Sequence, residues 1–336
     1  MKHRIEFIDL AKGFCILLVV QIHVYGDTSY DIFKDMTIFR MPLYYYLSGV
    51  FFKTYDSVIF FIKKKTNRLL LPFLFFFLCS IIPLHYYFNF YLQHRSIDFL
   101  ELFFSDYGRL YHRFNGAIWF LVSLFITNVY FYIIHSIFKA HITPILVASF
   151  FCGIIGYFID IMDLYMPLWL DTSMTALPFF AMGYATRQNT FFLTNHFCRI
   201  HYLYILLSLV SLIIVIVVNR VTKTQAIEYD LNVYNMNIIC LYVGGISGTL
   251  LVLLLSKKLN HVFLVSYLGR YSIVILCTHL LFIFIIRNIL HHFAIPQDNG
   301  YVNTSLFLAV IFASIPTIKY GIKYLPYLFS QKDLWK

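Results

Sequence analysis

One histidine within a long apolar run is the clearest chemical signal in this sequence. His23 lies thirteen residues after Leu10 in RIEFIDLAKGFCILLVVQIHVYGD, residues 4–27. On a helix this is ~20 Å, in the far half of a membrane core ~30 Å thick. Polar side chains are costly at that depth and generally serve a function. Imidazole accepts a proton near neutral pH and returns it later, so we predict that His23 is a general base. The alternative is a buried histidine bonded to a nearby carbonyl.

Two further residues are predicted to assist His23. Asp27 follows four residues later. If the helix continues through Gly26, Asp27 lies one turn away and orients the ring, whereas a helix that ends at Gly26 removes this pairing. Arg40 lies in the next apolar run, IFRMPLYYYLSGVFF, on the same side as His23. Facing the protein, Arg40 would stabilise an oxyanion or hold a carboxylate; the alternative is an arginine that reaches lipid headgroups.

A cluster of cations precedes the third apolar run, in KKKTNRLLLP at residues 63–72. Lys65 and Arg68 are three residues apart, so they share one face if a helix begins before Lys65. The guanidinium fork of Arg68 can chelate a phosphate, and Lys65 adds a point charge. We predict a phosphate-binding site; the alternative is an anchor at the inner membrane surface or at anionic lipid.

Three more residues are candidates for substrate contact. Trp119 begins WFL in the fourth apolar run, Tyr184 follows Gly183 in the sixth, and His279 ends YLGRYSIVILCTH. Tryptophan at such a position is also typical of an interfacial anchor. His279 lies at mid-depth, so we expect it to face the protein interior.

Several chemistries are excluded by motifs that the sequence lacks. It contains no GxSxG, Walker loop, HExxH or CxxC. The six cysteines lie apart in sequence and mostly in apolar runs, so neither a metal site nor a disulfide framework is expected.

The composition indicates which elements must position these residues. Of the 336 residues, 60% are hydrophobic and 12% are charged, and the mean hydropathy is +0.74. A soluble domain carries ~25% charged residues, so a cytosolic enzyme, a secreted disulfide scaffold and a disordered protein are excluded. Each transmembrane helix needs ~20 apolar residues, and ten helices would use ~200. We predict an all-α, polytopic membrane bundle of about ten helices in a single domain, residues 1–336.

The ten predicted spans fall at regular intervals along the chain. They are 8–26, 37–55, 69–92, 117–138, 142–160, 173–187, 200–218, 236–256, 271–290 and 303–326. The sixth is short and contains Pro178 and Gly183, so a broken helix that lines a cavity is expected. The longest polar stretches, 93–116 and 219–235, are then external. The first would bind a sugar-like or anionic acceptor, or form a solvated loop.

The basic residues are read as a topology signal. The net charge is +10, which in a soluble protein would suggest nucleic acid. With an inner N-terminus, 18 of the 26 Lys and Arg residues fall on the inner side. This bias favours N-in and C-in topology, and no nucleic-acid partner is expected.

The order of these motifs resembles the acyltransferase-3 family of membrane-integral O-acyltransferases. MPLYYYLSGVFF resembles the family's MPLFFFLSG signature, and Lys65-x-x-Arg68 before LLLP resembles its basic RxxR-type motif. WFLVSLF, LPFFAMGY and YLGRYSIVILCTH resemble later landmarks. The first span carries family residues in the family's order: Arg4, Asp9, Lys12, Gly13 and His23. Arg40 departs from the pattern, in which histidine often precedes MP.

The resemblance implies transfer of an acyl group, usually acetyl from acetyl-CoA, to a hydroxyl of a cell-envelope or exported glycan or lipid-linked precursor. It implies an integral protein of the bacterial inner or plasma membrane, with acyl-CoA as co-substrate, lipids as neighbours and no metal. His23 would be the catalytic histidine, with Lys65 and Arg68 near the acyl-CoA phosphates. We group Asp9 and Lys12 with these donor-binding residues.

The expected mechanism is direct transfer. His23 deprotonates the acceptor hydroxyl, which attacks the thioester, and a cation or tyrosine of the second span stabilises the oxyanion. No serine or cysteine is well placed as a nucleophile, since Cys15 lies two helical turns from His23. The main alternative is a transporter or flippase for a glycan or lipid-linked sugar. A non-catalytic assembly subunit is a third reading.

Overall fold

The chain folds into helices, as its composition predicts. A computed structural model describes residues 5–26, 31–55, 57–80, 115–162, 164, 166–188, 197–222, 227–297 and 299–335. Within these ranges the only β pairing is an isolated antiparallel bridge between Glu228 and Val233. The helices are α1 Glu6–Tyr25, α2 Asp31–Asp35, α3 Thr37–Val50, α4 Val58–Lys65, α5 71–80, α6 Trp119–Ile137, α7 Ile142–Ile161, α8 Leu170–Gln188, α9 Ile200–Val221, α10 Ile238–Leu259, α11 Phe263–Arg270, α12 Ser272–His292 and α13 Gly300–Tyr324. The predicted all-α class is confirmed.

Seven helices of the described chain are long and apolar enough to cross a membrane. They are α1, α6 with its preceding turn from Gly116, α7, α9, α10, α12 and α13. Each corresponds to a predicted span, with ends that differ by a few residues. The other three predicted spans overlap α3, α5 and α8. Residues 81–92 of the third predicted span and residues 93–114 of the predicted external stretch lie outside the described residues. The chain is therefore an integral membrane protein, while the count of ten and the N-in and C-in orientation stay predictions.

The sixth predicted span is one continuous helix and is not broken. Helix α8 runs through Pro178, whose ring packs against Gly153 of α7. A Cβ on Gly153 would lie only 2.5 Å from Cγ of this proline. The glycine thus leaves room for the proline ring. The start of α8 is polar yet fully buried, with Thr172 and Ser173 at 0% exposure. Helix α8 reads as a weak span because it packs inside the bundle, where Ser and Thr pair with protein groups instead of facing lipid.

The crossing of α3 and α8 depends on two glycines. A Cβ on Gly49 would lie 1.9 Å from the carbonyl oxygen of Phe180, and one on Gly183 would lie 1.9 Å from that of Tyr46. The two backbones are therefore in direct contact at these glycines. This contact fixes α3, which carries Arg40, against the centre of the bundle.

The cationic segment before α5 forms a structure that the sequence did not predict. Helix α4 continues into α5 through a π-helical turn, Thr66–Leu70. Asn67 in this turn is fully buried. Its side chain donates to the carbonyl of Trp335 at 2.8 Å and accepts from the N–H of Leu334 at 3.1 Å. The C-terminal residues 326–335 are thereby held against the turn between Lys65 and α5.

Candidate active site

His23 faces an open cavity within the helix bundle. This cavity has a volume of about 380 Å³, and we call it the histidine cavity. Its walls combine charged and aromatic groups from several helices and from the loop before α10: Lys34, Arg40, Tyr44, Trp119, Glu228, Tyr229 and Asp230. The exposed side chain of His23 is therefore available to a molecule in this cavity.

The end of α1 sets the position of His23. The helix ends at Tyr25, and Gly26 has a positive φ of 51°, a backbone conformation that favours glycine. Arg287 of α12 donates to the carbonyl of Val24 at 2.6 Å and holds this end. His23 is thus in the last turn of α1. The condition for pairing with Asp27, a helix that continues through Gly26, is not met, and Asp27 itself lies outside the described residues.

Arg40 faces the protein interior, next to His23. Its side chain lines the histidine cavity, and Nη1 donates to the carbonyl of Leu18 at 3.3 Å. Nε is buried and has no hydrogen-bond partner within the described residues. Arg40 is therefore anchored to α1 and keeps donor capacity near the cavity.

His279 packs directly behind His23. The two ring centroids are 5.3 Å apart, and the ring planes are inclined by 41°. His279 is fully buried, and its Nδ1 lies 2.7 Å from the carbonyl oxygen of Ile275. The prediction that His279 faces the interior is confirmed. It contacts the candidate base and is not part of the cavity wall, so its predicted contact with a substrate stays untested.

A second cavity, also lined by Tyr44, has three basic residues in its wall. It has a volume of about 300 Å³, and we call it the cationic cavity. Lys12 of α1, Lys65 of α4 and Arg68 of the π-helical turn all line it. The ammonium of Lys12 lies 5.0 Å from the ring centroid of Phe51, and that of Lys65 lies 5.8 Å from that of Phe52. Three of the four residues predicted to bind the donor are therefore together.

The fourth, Asp9, is separate from this cluster. Its carboxylate lies 3.9 Å from Nε of Arg270 on α11, and Asp9 does not line the cationic cavity. Gly13 and Gly269 pack the two helices together here, because a Cβ on Gly269 would lie 1.9 Å from the carbonyl oxygen of Asp9. Asp9 therefore joins α1 to α11 through its ion pair with Arg270.

Burial and neighbouring charged groups reduce the positive charge of the cationic cavity. Burial and, to a lesser extent, the neighbouring charge of Arg68 together lower the pKa of Lys65 to about 8. Arg68 is half-exposed and lies 3.6 Å from a carboxylate oxygen of Asp333, which also pairs with Lys64. One carboxylate of the C-terminal segment thus offsets part of the positive charge.

The two cavities meet at two residues that line both of them. These are Tyr44 of α3 and Leu276 of α12. The hydroxyl of Tyr44 donates to the carbonyl of Lys12 at 3.3 Å. The cationic cavity and the histidine cavity therefore lie next to each other, with these two side chains between them.

The predicted substrate residues Trp119 and Tyr184 lie in different surroundings. Trp119 lines the histidine cavity, with its ring centroid 6.2 Å from that of Trp169. Tyr184 lies away from both cavities, with its hydroxyl 3.0 Å from Nε2 of His135 among the phenylalanines of α6 and α8. The structure therefore brings Trp119, but not Tyr184, together with His23.

Residues 227–230 form a wall of the histidine cavity that the sequence did not predict. The carbonyl of Asp230 accepts from the indole of Trp169 at 2.9 Å, and that of Tyr229 accepts from Thr172 at 3.0 Å. The hydroxyl of Tyr229 donates to the carbonyl of Ile38 at 3.3 Å. These bonds hold the backbone of this loop and the ring of Tyr229 in place. The only available signal was the mixture of acidic and aromatic residues in the external stretch 219–235.

Comparison with known proteins identifies one matching family. The sequence model of a family described as an acyltransferase domain matches residues 5–318 of the 336-residue chain. All residues that line the two cavities fall within this range, whereas the C-terminal residues 326–335 lie beyond it. No match was found among curated proteins or among solved structures.

Proposed function

This chain belongs to the acyltransferase-3 family, and from that premise we propose that it carries an acyl group, specifically acetyl, from cytosolic acyl-CoA to a hydroxyl of a cell-envelope or exported glycan or lipid-linked precursor. The family and the seven apolar helices together support a membrane acyltransferase.

The observation that carries the proposal is the junction of the two cavities at Tyr44 and Leu276. Acyl-CoA has a polyanionic head and a long thin arm that ends in the thioester. Lys12, Lys65 and Arg68 supply positive charge for the phosphates. The arm would then pass Tyr44 and present its thioester to His23.

The reaction follows from the residues at the far end of this path. His23 takes the proton of the acceptor hydroxyl, and the oxygen attacks the thioester carbonyl carbon. Arg40, whose Nε has no hydrogen-bond partner within the described residues, stabilises the oxyanion of the tetrahedral intermediate. Collapse of the intermediate breaks the carbon–sulfur bond, and the CoA thiolate recovers the proton from His23. The ester forms without an acyl-enzyme.

A hydroxyl-rich acceptor suits the histidine cavity. The carboxylates of Glu228 and Asp230 accept hydrogen bonds from hydroxyls, and the faces of Trp119 and Tyr229 suit the apolar faces of a sugar ring. The cationic cavity would face the cytosol, consistent with N-in topology, and the histidine cavity would open toward the outer side.

Acetyl transfer by the purified protein in nanodiscs tests the proposal. Radiolabelled acetyl-CoA and an envelope-glycan fraction are supplied to the wild type, to His23→Ala and to His291→Ala, a matched control at an exposed histidine outside both cavities. We expect label on the glycan with the wild type and the control but not with His23→Ala.

The other outcomes separate the alternatives. Equal labelling by all three proteins would retain the acyltransferase and overturn His23 as the base. Absence of labelling by a folded wild type that binds and moves glycan but does not bind acyl-CoA would favour the transporter.

A further inference from the structure

We propose that His279 is a positioning residue for this reaction: its Nε2 accepts a hydrogen bond from His23 and fixes the tautomer in which His23 acts as a base. The inference rests on the proposed function of His23. It assigns to a second histidine the orienting role that the sequence suggested for Asp27.

The backbone fixes the tautomer of His279. Its Nδ1 lies 2.7 Å from the carbonyl oxygen of Ile275, and a carbonyl oxygen only accepts hydrogen bonds. Nδ1 must therefore carry a proton. Because a neutral imidazole has one N–H, Nε2 of His279 has a free lone pair and acts as an acceptor.

This acceptor is buried and has no partner among the described residues. Nε2 of His279 makes no hydrogen bond, and the residue is fully buried in the core of the bundle. A buried acceptor without a donor is unfavourable, so such a group in a folded protein calls for an explanation. A donor that engages it during the reaction provides one.

His23 is at the right distance to be that donor. Two imidazoles joined by a linear N–H···N bond of ~3 Å have centroids ~5.4 Å apart, because each nitrogen lies ~1.2 Å from its ring centre. The observed separation between the centroids of His23 and His279 is 5.3 Å. Rotation of the His23 ring about Cβ–Cγ leaves its centroid nearly in place and brings an N–H toward Nε2. The cavity on its other side leaves room for this rotation.

The hydrogen bond determines what the other nitrogen of His23 can do. When one nitrogen donates its proton to His279, the second keeps its lone pair and faces the cavity. That nitrogen takes the proton of the acceptor hydroxyl, which converts His23 to an imidazolium with both nitrogens protonated. The bond to His279 is retained and becomes charge-assisted. The proton then leaves with the CoA thiolate, and His23 returns to the starting tautomer.

Two substitutions separate this role from a purely structural one. In His279→Asn, the amide N–H replaces the Nδ1 donor to Ile275 but no acceptor replaces Nε2. In His279→Gln, the longer side chain carries a carbonyl oxygen to the position of Nε2. We expect His279→Asn to lower kcat roughly 100-fold, at the lower end of a general base's contribution, with the KM values for acetyl-CoA and glycan within about twofold of wild type. His279→Gln should recover most of this loss.

His135→Asn is the matched control. His135 is also a buried histidine, but it pairs with Tyr184 away from both cavities. The kcat of the His135→Asn variant should therefore equal that of the wild type. Nitrogen NMR of ¹⁵N-histidine-labelled protein gives a second readout. One tautomer of His23 should dominate in the wild type, and both should be populated in His279→Asn.

The opposite results would overturn the inference. A wild-type kcat in His279→Asn, an equal loss in the Asn and Gln variants, or an unchanged His23 tautomer in folded His279→Asn would each do so. Failure of the underlying function is distinguishable, because it shows either as full activity in His23→Ala or as no acetyl transfer by the folded wild type, and neither outcome depends on the His279 variants.

Discussion

Tyr44 of α3 donates a hydrogen bond to the carbonyl of Lys12 on α1 at 3.3 Å, and its side chain lines both cavities. One side chain is thus attached to the helix that carries His23 and lies at the junction between the cations and that histidine. If acyl-CoA reaches His23 by this route, the size of the side chain at position 44 controls transfer independently of donor binding.

Enlarging this side chain is the first prediction. Tyr44→Trp should narrow the junction, so CoA binding to the cations stays near the wild-type value while acetyl transfer falls by at least ~100-fold, as expected when the reacting groups cannot meet. Equilibrium binding of CoA and transfer of labelled acetyl are measured on the same preparation. Tyr44→Phe is the control, because it keeps the size of the ring, and its rate of acetyl transfer should fall less than that of Tyr44→Trp. Parallel loss of binding and transfer in Tyr44→Trp would contradict the route.

The affinity for the donor should depend on pH through Lys65. Its pKa is lowered to about 8, so the ammonium is charged below that pH and loses its charge as pH rises through it. Affinity for CoA should therefore be full below pH 8 and decline above it, as one phosphate contact loses its charge. In Lys65→Arg the guanidinium stays charged, so the affinity for CoA should stay constant across the same pH range. Titration of CoA binding between pH 6.5 and 9.5, roughly the range around this pKa, measures both. The same decline in Lys65→Arg would assign it to another group.

Removal of the carboxylate of Asp333 should strengthen donor binding. This side chain offsets charge on Lys64 and Arg68, although it belongs to the C-terminal segment beyond the family match. Because these groups are partly exposed, the pair is worth ~0.2–1 kcal/mol, and Asp333→Asn should lower the KM for acetyl-CoA by roughly 1.4- to fivefold.

A second ion pair provides the control for that change. Asp35 pairs with Arg220 at 2.6 Å, and neither residue lines the cationic cavity. Asp35→Asn should leave the donor KM unchanged. A higher donor KM in Asp333→Asn would instead make Asp333 an anchor for Arg68.

Substitution of Glu228 should weaken binding of the acceptor glycan and leave binding of acetyl-CoA unchanged. Its carboxylate lines the histidine cavity, in a loop fixed by hydrogen bonds to α8 and α3. Loss of a hydrogen bond to a charged group costs ~1.5–3 kcal/mol, so Glu228→Ala should raise the glycan KM by roughly tenfold or more. Steady-state kinetics with each substrate varied in turn would detect this, and the KM for acetyl-CoA is the internal control. An equal rise in both KM values would contradict an acceptor-specific role.

The crossing of α3 and α8 should tolerate no side chain at Gly183. A methyl group there would meet the carbonyl oxygen of Tyr46, and rigid backbone cannot yield. We expect Gly183→Ala to cost ~1–3 kcal/mol or more through overpacking, with a lower thermal midpoint in detergent. Gly300→Ala is the control, because a Cβ there meets nothing within 4 Å. Equal midpoints for the two variants would contradict the backbone contact.

Much of this architecture could be predicted from the sequence because it depends on local chemistry. Long apolar runs must form helices in a membrane, since no other backbone conformation satisfies its own hydrogen bonds there. The predicted runs therefore match α1, α6, α7, α9, α10, α12 and α13 within a few residues. The same cost argument identified His279 as an interior residue. The prediction of a broken helix at α8 was wrong, because a continuous helix that is buried in the bundle can contain Ser, Thr and Pro and so has the composition of a weak span.

The tertiary structure alone decided which residues meet. The pairing of His23 with His279 joins α1 to α12, and residues 227–230 reach the histidine cavity because Trp169 and Thr172 hold that loop. Asp9 and Tyr184 satisfied the same sequence criteria as Lys12 and Trp119 yet lie apart from the cavities. Composition and periodicity determine whether a segment forms a helix and at what depth its residues lie. They do not determine rotation and contact between helices, which arise from packing between distant segments such as the glycine contacts of α3 with α8.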